Sequence, residues 1–317
     1  MNHILICLLF SFLLSAVLCA ALIPILKKAG AGQNILHYVK EHQSKGGTPT
    51  MGGLAFILAA ITVALAACGF EDKPFLVALS VGAGYLLVGF LDDFLKKRRK
   101  DNLGLRPYQK IIFQSAVAIV ASLYCCLNSL TVLRIPFTTL SFDIGWGMMP
   151  IGIFVFVATV NSVNLTDGLD GLAGSTCAAF FMCTGALLFM QKGNSSLALL
   201  SFCLVGALFG FLIFNQNKAS LFMGDTGSLS LGGFAASITL FSGNALVIPI
   251  VGIMFVLSSI SVIIQVIYYK KTGKRVFLMA PIHHHFQQKG HTEAKIAFVY
   301  AAITAALGVA VLLPFAF

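Results

Sequence analysis

Five carboxylates stand where apolar stretches end: Asp92 and Asp93 in GYLLVGFLDDF, Asp167 and Asp170 in VNSVNLTDGLDGLAG, and Asp225 in FNQNKASLFMGDTGSL. One such acid is ordinarily a solvated helix terminus, because the cost of a carboxylate, about 2.5–3.5 kcal/mol at the bilayer centre, falls towards the interface. Five from three separate segments, in a chain with only 11 Asp and Glu, form a constellation. On a helix Asp92 and Asp93 diverge by about 100°, which predicts two different jobs rather than joint chelation of one ion. Asn161, Asn164, Asp167 and Asp170 recur every three residues and predict a polar stripe along one drifting helix face. Gly224, Asp225, Thr226, Gly227 and Ser228 predict a tight turn into the next helix, whose first N–H groups would be open to an anion. Acids from three helix ends beside a phosphate-sized nest suit Mg²⁺ shared between protein and a diphosphate. That ion takes one or two carboxylates and leaves its other positions to substrate oxygens.

Basic and aromatic residues extend the inventory. The run KKRRK (96–100) serves as an orientation signal or an anchor to anionic lipid, and its first residue, Lys96, is a candidate substrate contact. Lys45 precedes GGTPTMGG, and Lys110 sits one turn inside an apolar run; a lysine so placed can snorkel or hold phosphate. His283, His284 and His285 lie in MAPIHHHFQQKG. Three adjacent histidines on regular backbone cannot all face one ion, which argues against a tri-histidine zinc site. One or two of them can enter the site as proton carriers or phosphate donors. Phe222, beside the Gly-Asp turn, is either core or a surface on which a base or sugar stacks.

The elements that position these residues follow from composition. Of the 317 residues 58% are hydrophobic and 10% charged, and mean hydropathy is +0.92. So few charges cannot cover a water-soluble surface, which excludes soluble enzymes, disordered chains and nucleic-acid-binding modules. At roughly 20 apolar residues per span the chain reads as an all-α polytopic membrane protein of about ten transmembrane helices in a single domain. Apolar runs lie near 3–26, 50–68, 74–93, 107–129, 147–163, 171–190, 195–214, 228–243, 245–269 and 295–316. The first is too long and lacks the basic start of a signal peptide, so it reads as a retained span. Segments on one side, with Lys110 and Lys295, carry 18 of the 21 Lys and Arg. The positive-inside rule places that side in the cytoplasm and both termini outside. All five acids fall on it. On the other side, 130–146 (LTVLRIPFTTLSFDIGW) alternates around turn-formers and predicts a small extracytoplasmic hairpin. Eight cysteines in apolar stretches, with no C-x-x-C pair, indicate neither disulfides nor zinc.

In order along the chain, KGGTPTMGG (45–53), GFLDD (89–93), NLTDGLDGLA (164–173), FMGDTGSL (222–229) and APIHHHF (280–286) resemble the polyprenyl-phosphate N-acetylhexosamine-1-phosphate transferases. TPTMGG and PIHHHF favour the phospho-N-acetylmuramoyl-pentapeptide transferase branch. The resemblance implies a ten-span bacterial cell-membrane enzyme, a homodimer, that uses Mg²⁺. Its reaction moves phospho-MurNAc-pentapeptide from UDP-MurNAc-pentapeptide to undecaprenyl phosphate, giving lipid I and UMP, the first membrane step of peptidoglycan synthesis. Carried over by motif, Asp225 is the magnesium ligand and Asp92 the base for the lipid phosphate, with Asp93 beside it. Asn164 and Asp167 belong to the catalytic, nucleotide-facing cluster. Lys45, Thr50, Lys110, Asn215, Phe222 and Gln265 line the nucleotide site, and His284 and His285 match the histidine motif needed for activity. Asp170 and His283 complete the substrate-binding set. Where the family commonly continues with an acid and then KGW, this chain reads QQKGH, with Gln287 and His291.

The chemistry agrees, because phosphoryl transfer depends on positioning and charge neutralisation. A lipid acceptor and a cytosolic donor can meet only at the inner membrane boundary. A sister transferase carrying GlcNAc-1-phosphate shares most of these motifs. An ion-coupled transporter would instead want acids near mid-membrane, broken helices and an inverted repeat.

Overall fold

The computed structural model describes residues 2–30, 32, 46–99, 104–138, 140–216 and 218–315. Lys45 lies outside them. All ten apolar runs fold as helices: α1 (Asn2–Lys28), α2 (Gly53–Cys68), α3 (Lys73–Arg99), α4 (Pro107–Leu127), α5 (Met148–Thr166), α6 (Leu172–Gln191), α7 (Ser195–Asn215), α8 (Gly224–Phe241), the pair α9 (Ile248–Val251) and α10 (Ile253–Thr272), and, beyond the short α11 (Ile282–Gln288), α12 (Glu293–Leu312). Among the described residues eight helices are long and apolar enough to cross a membrane. Of the other two runs, α2 is a shorter apolar helix and α8 is rich in glycine, serine and threonine.

Two features depart from the run boundaries. The stretch 245–269 is not one helix: Pro249 opens α9, and Gly252 ends it and begins α10. The segment 270–294 contains α11, which the apolar pattern does not mark because five of its seven residues are His or Gln. The expected hairpin is present as β1 (Val132–Arg134) and β2 (Ser141–Asp143), antiparallel with Leu133 opposite Phe142.

The body is built around α8. Every residue from Thr226 to Phe241 is buried, with α3 and α5 along its flanks and α2 and α6 also touching it. Its sequence explains this position. Membrane helices associate through close packing, so small residues favour the interior. A Cβ on Gly232 would stand 2.5 Å from Val160 Cα, and Ser230 Oγ donates to Gly82 O at 2.9 Å. The first helix belongs to the same body: it lies on α7 and α2, and Ser15 Oγ donates to Ala207 O at 2.6 Å. The outermost helices carry large exposed apolar side chains, such as Val120, Phe154 and Phe298, as a lipid-facing surface requires.

Candidate active site

The same packing that buries α8 brings its N-terminus against the end of α3. A Cβ on Gly89 would overlap the Asp225 carbonyl, so only glycine allows this approach. One turn later, Asp93 accepts the backbone N–H groups of Asp225 (3.2 Å) and Thr226 (2.9 Å) and the Thr226 hydroxyl (2.7 Å). The anion that satisfies the open N–H groups of α8 is thus the protein's own carboxylate, and the phosphate nest expected at this turn is already filled. Gly224, at φ +68°, turns the chain into the helix.

Asp92 faces a different set of partners. Its Oδ1 accepts Leu105 N–H at 2.8 Å and its Oδ2 pairs with Lys96 Nζ at 2.5 Å. Asp225 Oδ2 pairs with Lys96 (3.0 Å) and with Lys110 (2.8 Å), while Oδ1 accepts Asn164 Nδ2 at 2.8 Å. Asn164 also receives Lys110 Nζ at 3.2 Å and donates to Ser228 Oγ at 2.8 Å. Oxygens of Asp92, Asp93 and Asp225 all lie within 4.8 Å of one another. The 100° divergence therefore does not separate Asp92 from Asp93, because Asp225 arrives between them on another helix. Their division of labour survives in their hydrogen bonds: Asp93 caps α8, and Asp92 holds Lys96 and the 104–105 loop.

Three carboxylates this close are tolerable only beside cations, and Lys96 reaches all three. The donor set, all carboxylate oxygen, has the hard chemistry that a divalent ion such as Mg²⁺ requires. Asp167 follows α5 as its C-cap. Burial, and then the charges of Asp225 and Asp93, hold its carboxyl well above the usual range. Its stripe neighbour Asn161 donates to Gln114 Oε1 at 2.7 Å, tying α5 to α4 one turn beyond the Asn164–Lys110 contact. Gln114 was not singled out from sequence; its spacing of four from Lys110 is the signal that could have found it.

Other candidate residues divide into those that face this cluster and those committed elsewhere. Thr50 stands over the turn, its Oγ1 2.8 Å from where a Gly224 Cβ would be. Phe222 pairs with the 49–53 loop, donating its N–H to Pro49 O (2.8 Å) and accepting Gly52 N–H (2.8 Å). Asn215 is buried, with its amide spent on Gly171 N–H (3.0 Å) and Leu221 O (2.9 Å). Asp170 accepts Ala219 N–H at 2.9 Å. Both residues brace the loops around the site. Gln265 accepts the N–H groups of Val276 (3.0 Å) and Phe277 (2.9 Å) and pins the segment leading to α11. His283 is buried against Gly168, where a Cβ would overlap its Nε2 and stand 3.0 Å from His284 Nε2. His285 turns away, its Nδ1 accepting Leu278 N–H at 3.2 Å.

Comparison with known proteins accords with this arrangement. Residues 75–243 match glycosyl transferase family 4, a stretch that runs from the start of α3 through the end of α8. The chain is 43% identical to the phospho-N-acetylmuramoyl-pentapeptide-transferase of Bacillus subtilis (strain 168), over 96% of this chain and 97% of that protein. It is 41% identical to the protein of that name from Clostridioides difficile (strain 630), over 94% of each chain. For that of Clostridium botulinum (strain Alaska E43 / Type E3) the identity is 44%, over 94% of this chain and 92% of the relative. With carboxylates, lysines and the Gly-Asp turn assembled inside the matched region, the chain belongs to glycosyl transferase family 4 and, within it, to the phospho-N-acetylmuramoyl-pentapeptide-transferases.

Proposed function

We propose that residues 1–317 act as one membrane transferase domain that converts UDP-MurNAc-pentapeptide and undecaprenyl phosphate to lipid I and UMP. The net change breaks the P–O bond joining the two phosphates of the nucleotide. A new pyrophosphate bond forms to the lipid phosphate, and UMP departs with the bridging oxygen. The observation that carries this reading is the convergence of Asp92, Asp93 and Asp225 with Lys96 and Lys110 at one end of the helix bundle. Such a site lets a lipid phosphate approach along the helices and a nucleotide approach from water. The charge distribution along the chain orients that end towards the cytoplasm of a bacterial cell, and the enzyme works as a homodimer.

In this reading Asp225 is the carboxylate that would hold Mg²⁺. When bound, the ion neutralises phosphoryl oxygens and polarises them for attack. Lys110 and Lys96, which contact these carboxylates, would bind phosphate oxygens of the substrates. Asn164 orients Asp225 through its amide. Asp92 receives the proton of the lipid phosphate, for which its pairing with Lys96 keeps it close at hand. Thr50 and Phe222 border the nucleotide, Asp167, His283 and His284 border the sugar phosphate, and His285 holds the segment leading to α11 through Leu278 N–H. Asn215, Asp170 and Gln265 support these contacts by fixing the loops that carry them.

Purified protein should release UMP from UDP-MurNAc-pentapeptide in the presence of undecaprenyl phosphate and magnesium. Activity with UDP-GlcNAc alone would assign the sister reaction instead. Substrate-dependent current in vesicles without UMP release would support a transporter.

A further inference from the structure

Away from the carboxylate cluster, a second line of side chains joins α12, α11 and the 167–171 turn. Glu293, the first residue of α12, uses both carboxylate oxygens: Oε2 accepts Asp170 N–H at 2.8 Å and Oε1 accepts Gln287 Nε2 at 3.3 Å. Gln287 Oε1 in turn lies 3.0 Å from His284 Nδ1.

The donor and acceptor rules leave one consistent arrangement. A carboxylate accepts and does not donate, so Gln287 must turn its NH₂ towards Glu293. Its carbonyl oxygen is thereby committed to His284, and an oxygen at that distance requires the ring proton on Nδ1. His284 Nε2 faces the Gly168 turn beside Asp167. His285 is held the opposite way: its Nδ1 accepts Leu278 N–H at 3.2 Å, which leaves the proton of a neutral ring on Nε2. Two successive histidines thus use Nδ1 in opposite senses, His284 towards an acceptor oxygen and His285 towards a donor N–H.

We infer that Gln287 and Glu293 are positioning residues that hold His284 with a proton on Nδ1 and aim its Nε2 at the Gly168 turn beside Asp167, where the phosphate-bearing substrate is bordered. The substrate half rests on the transferase reading; the tautomer half does not. The departure from the family pattern at Gln287 keeps an acceptor oxygen facing the ring while the charge resides on Glu293. Hydrogen-bond partners behind a functional imidazole fix its tautomer in this way elsewhere, and removing a comparable support behind a metal-bound histidine typically costs about 10–100-fold in activity.

The test uses the full chain in nanodiscs with ¹⁵N-histidine, the His284 ring signals being identified by their loss in His284→Gln. Wild type should show Nδ1–H at His284 and Nε2–H at His285. Gln287→Leu should lose the Nδ1–H preference at His284 alone and lower kcat roughly tenfold, with KM for the nucleotide little changed. The exchange Gln287→Glu with Glu293→Gln should restore both, because the amide moved to α12 can donate to the carboxylate moved to α11 and still accept Asp170 N–H. An Nε2–H tautomer at His284 in wild type overturns the inference. So does an unchanged tautomer in Gln287→Leu, or an exchange variant no better than that single variant. A shifted tautomer with unchanged kcat overturns the substrate half. Absence of UMP release by wild type would defeat the transferase reading while the tautomer result still stood.

Discussion

The two halves of the candidate site are built on different principles. The carboxylate–lysine half grows from the ends of long helices, and its geometry follows from backbone approach: Gly89 against Asp225, and Asp93 capping α8. The histidine half sits on the seven-residue α11, fastened by side-chain hydrogen bonds of Ser261, Gln265, Gln287 and Glu293. The first half can tolerate little displacement, since its parts belong to the core. The second can be re-aimed by one hydrogen bond, which suits a region that must admit and release a bulky polar substrate. Charge is handled differently as well, with opposite charges in direct contact in the first half and an amide between carboxylate and imidazole in the second.

The largest expected effect lies in the helical half. Asp225→Asn should lower turnover by about 10³-fold through lost magnesium binding, measured as UMP release across a magnesium titration; a near-wild-type rate with unchanged magnesium dependence contradicts the assignment. Next, Asp92→Asn should cut turnover by about 10²-fold and leave nucleotide binding intact by calorimetry. Loss of nucleotide binding would make Asp92 structural or metal-associated. Gly89→Ala tests whether backbone approach sets this half: it should destabilise the protein by about 1–3 kcal/mol, seen as a lower Tm, and reduce turnover with it. A stable, active Gly89→Ala protein would mean that α3 and α8 have slack.

The smallest effect belongs to the hairpin at the opposite end. The Thr131 hydroxyl and Gly145 N–H hold the Asp143 carboxyl below the usual range. A depressed acid stabilises the fold above its unfolded pKa, and that contribution disappears as pH falls through the folded value. Protection of the hairpin amides against hydrogen exchange, taken relative to the intrinsic rate at each pH, should therefore fall in acid in wild type and lose this dependence in Asp143→Asn, with turnover unchanged. A loss of turnover in that variant would couple the hairpin to the site and erase the contrast between the two ends.

Much of the site was legible because its motifs are local. Asp92 and Asp93 announce themselves as acids ending an apolar run, and Asp225 as an acid in a glycine turn. Which partner each would take was not legible. The turn looked like an anion site, yet Asp93, 133 residues from Thr226, fills it. The resemblance implies Asn215 and Gln265 at the nucleotide site; that their amides satisfy buried or constrained backbone groups is a demand no spacing reveals. Glu293 drew no notice because a single acid at a helix start has an ordinary explanation in the helix dipole.

Composition and periodicity determined that this chain is a membrane protein of apolar helices with its cations on one side and a hairpin on the other. Those properties are sums over local residues and hold whatever the helices touch. Only the tertiary structure decided the break at Gly252, the burial of α8 on all sides, the meeting of three carboxylates and the opposite senses in which His284 and His285 use Nδ1. Each of these depends on a contact between segments far apart in the chain, where hydrogen-bond geometry selects one partner among several that the residue type would accept.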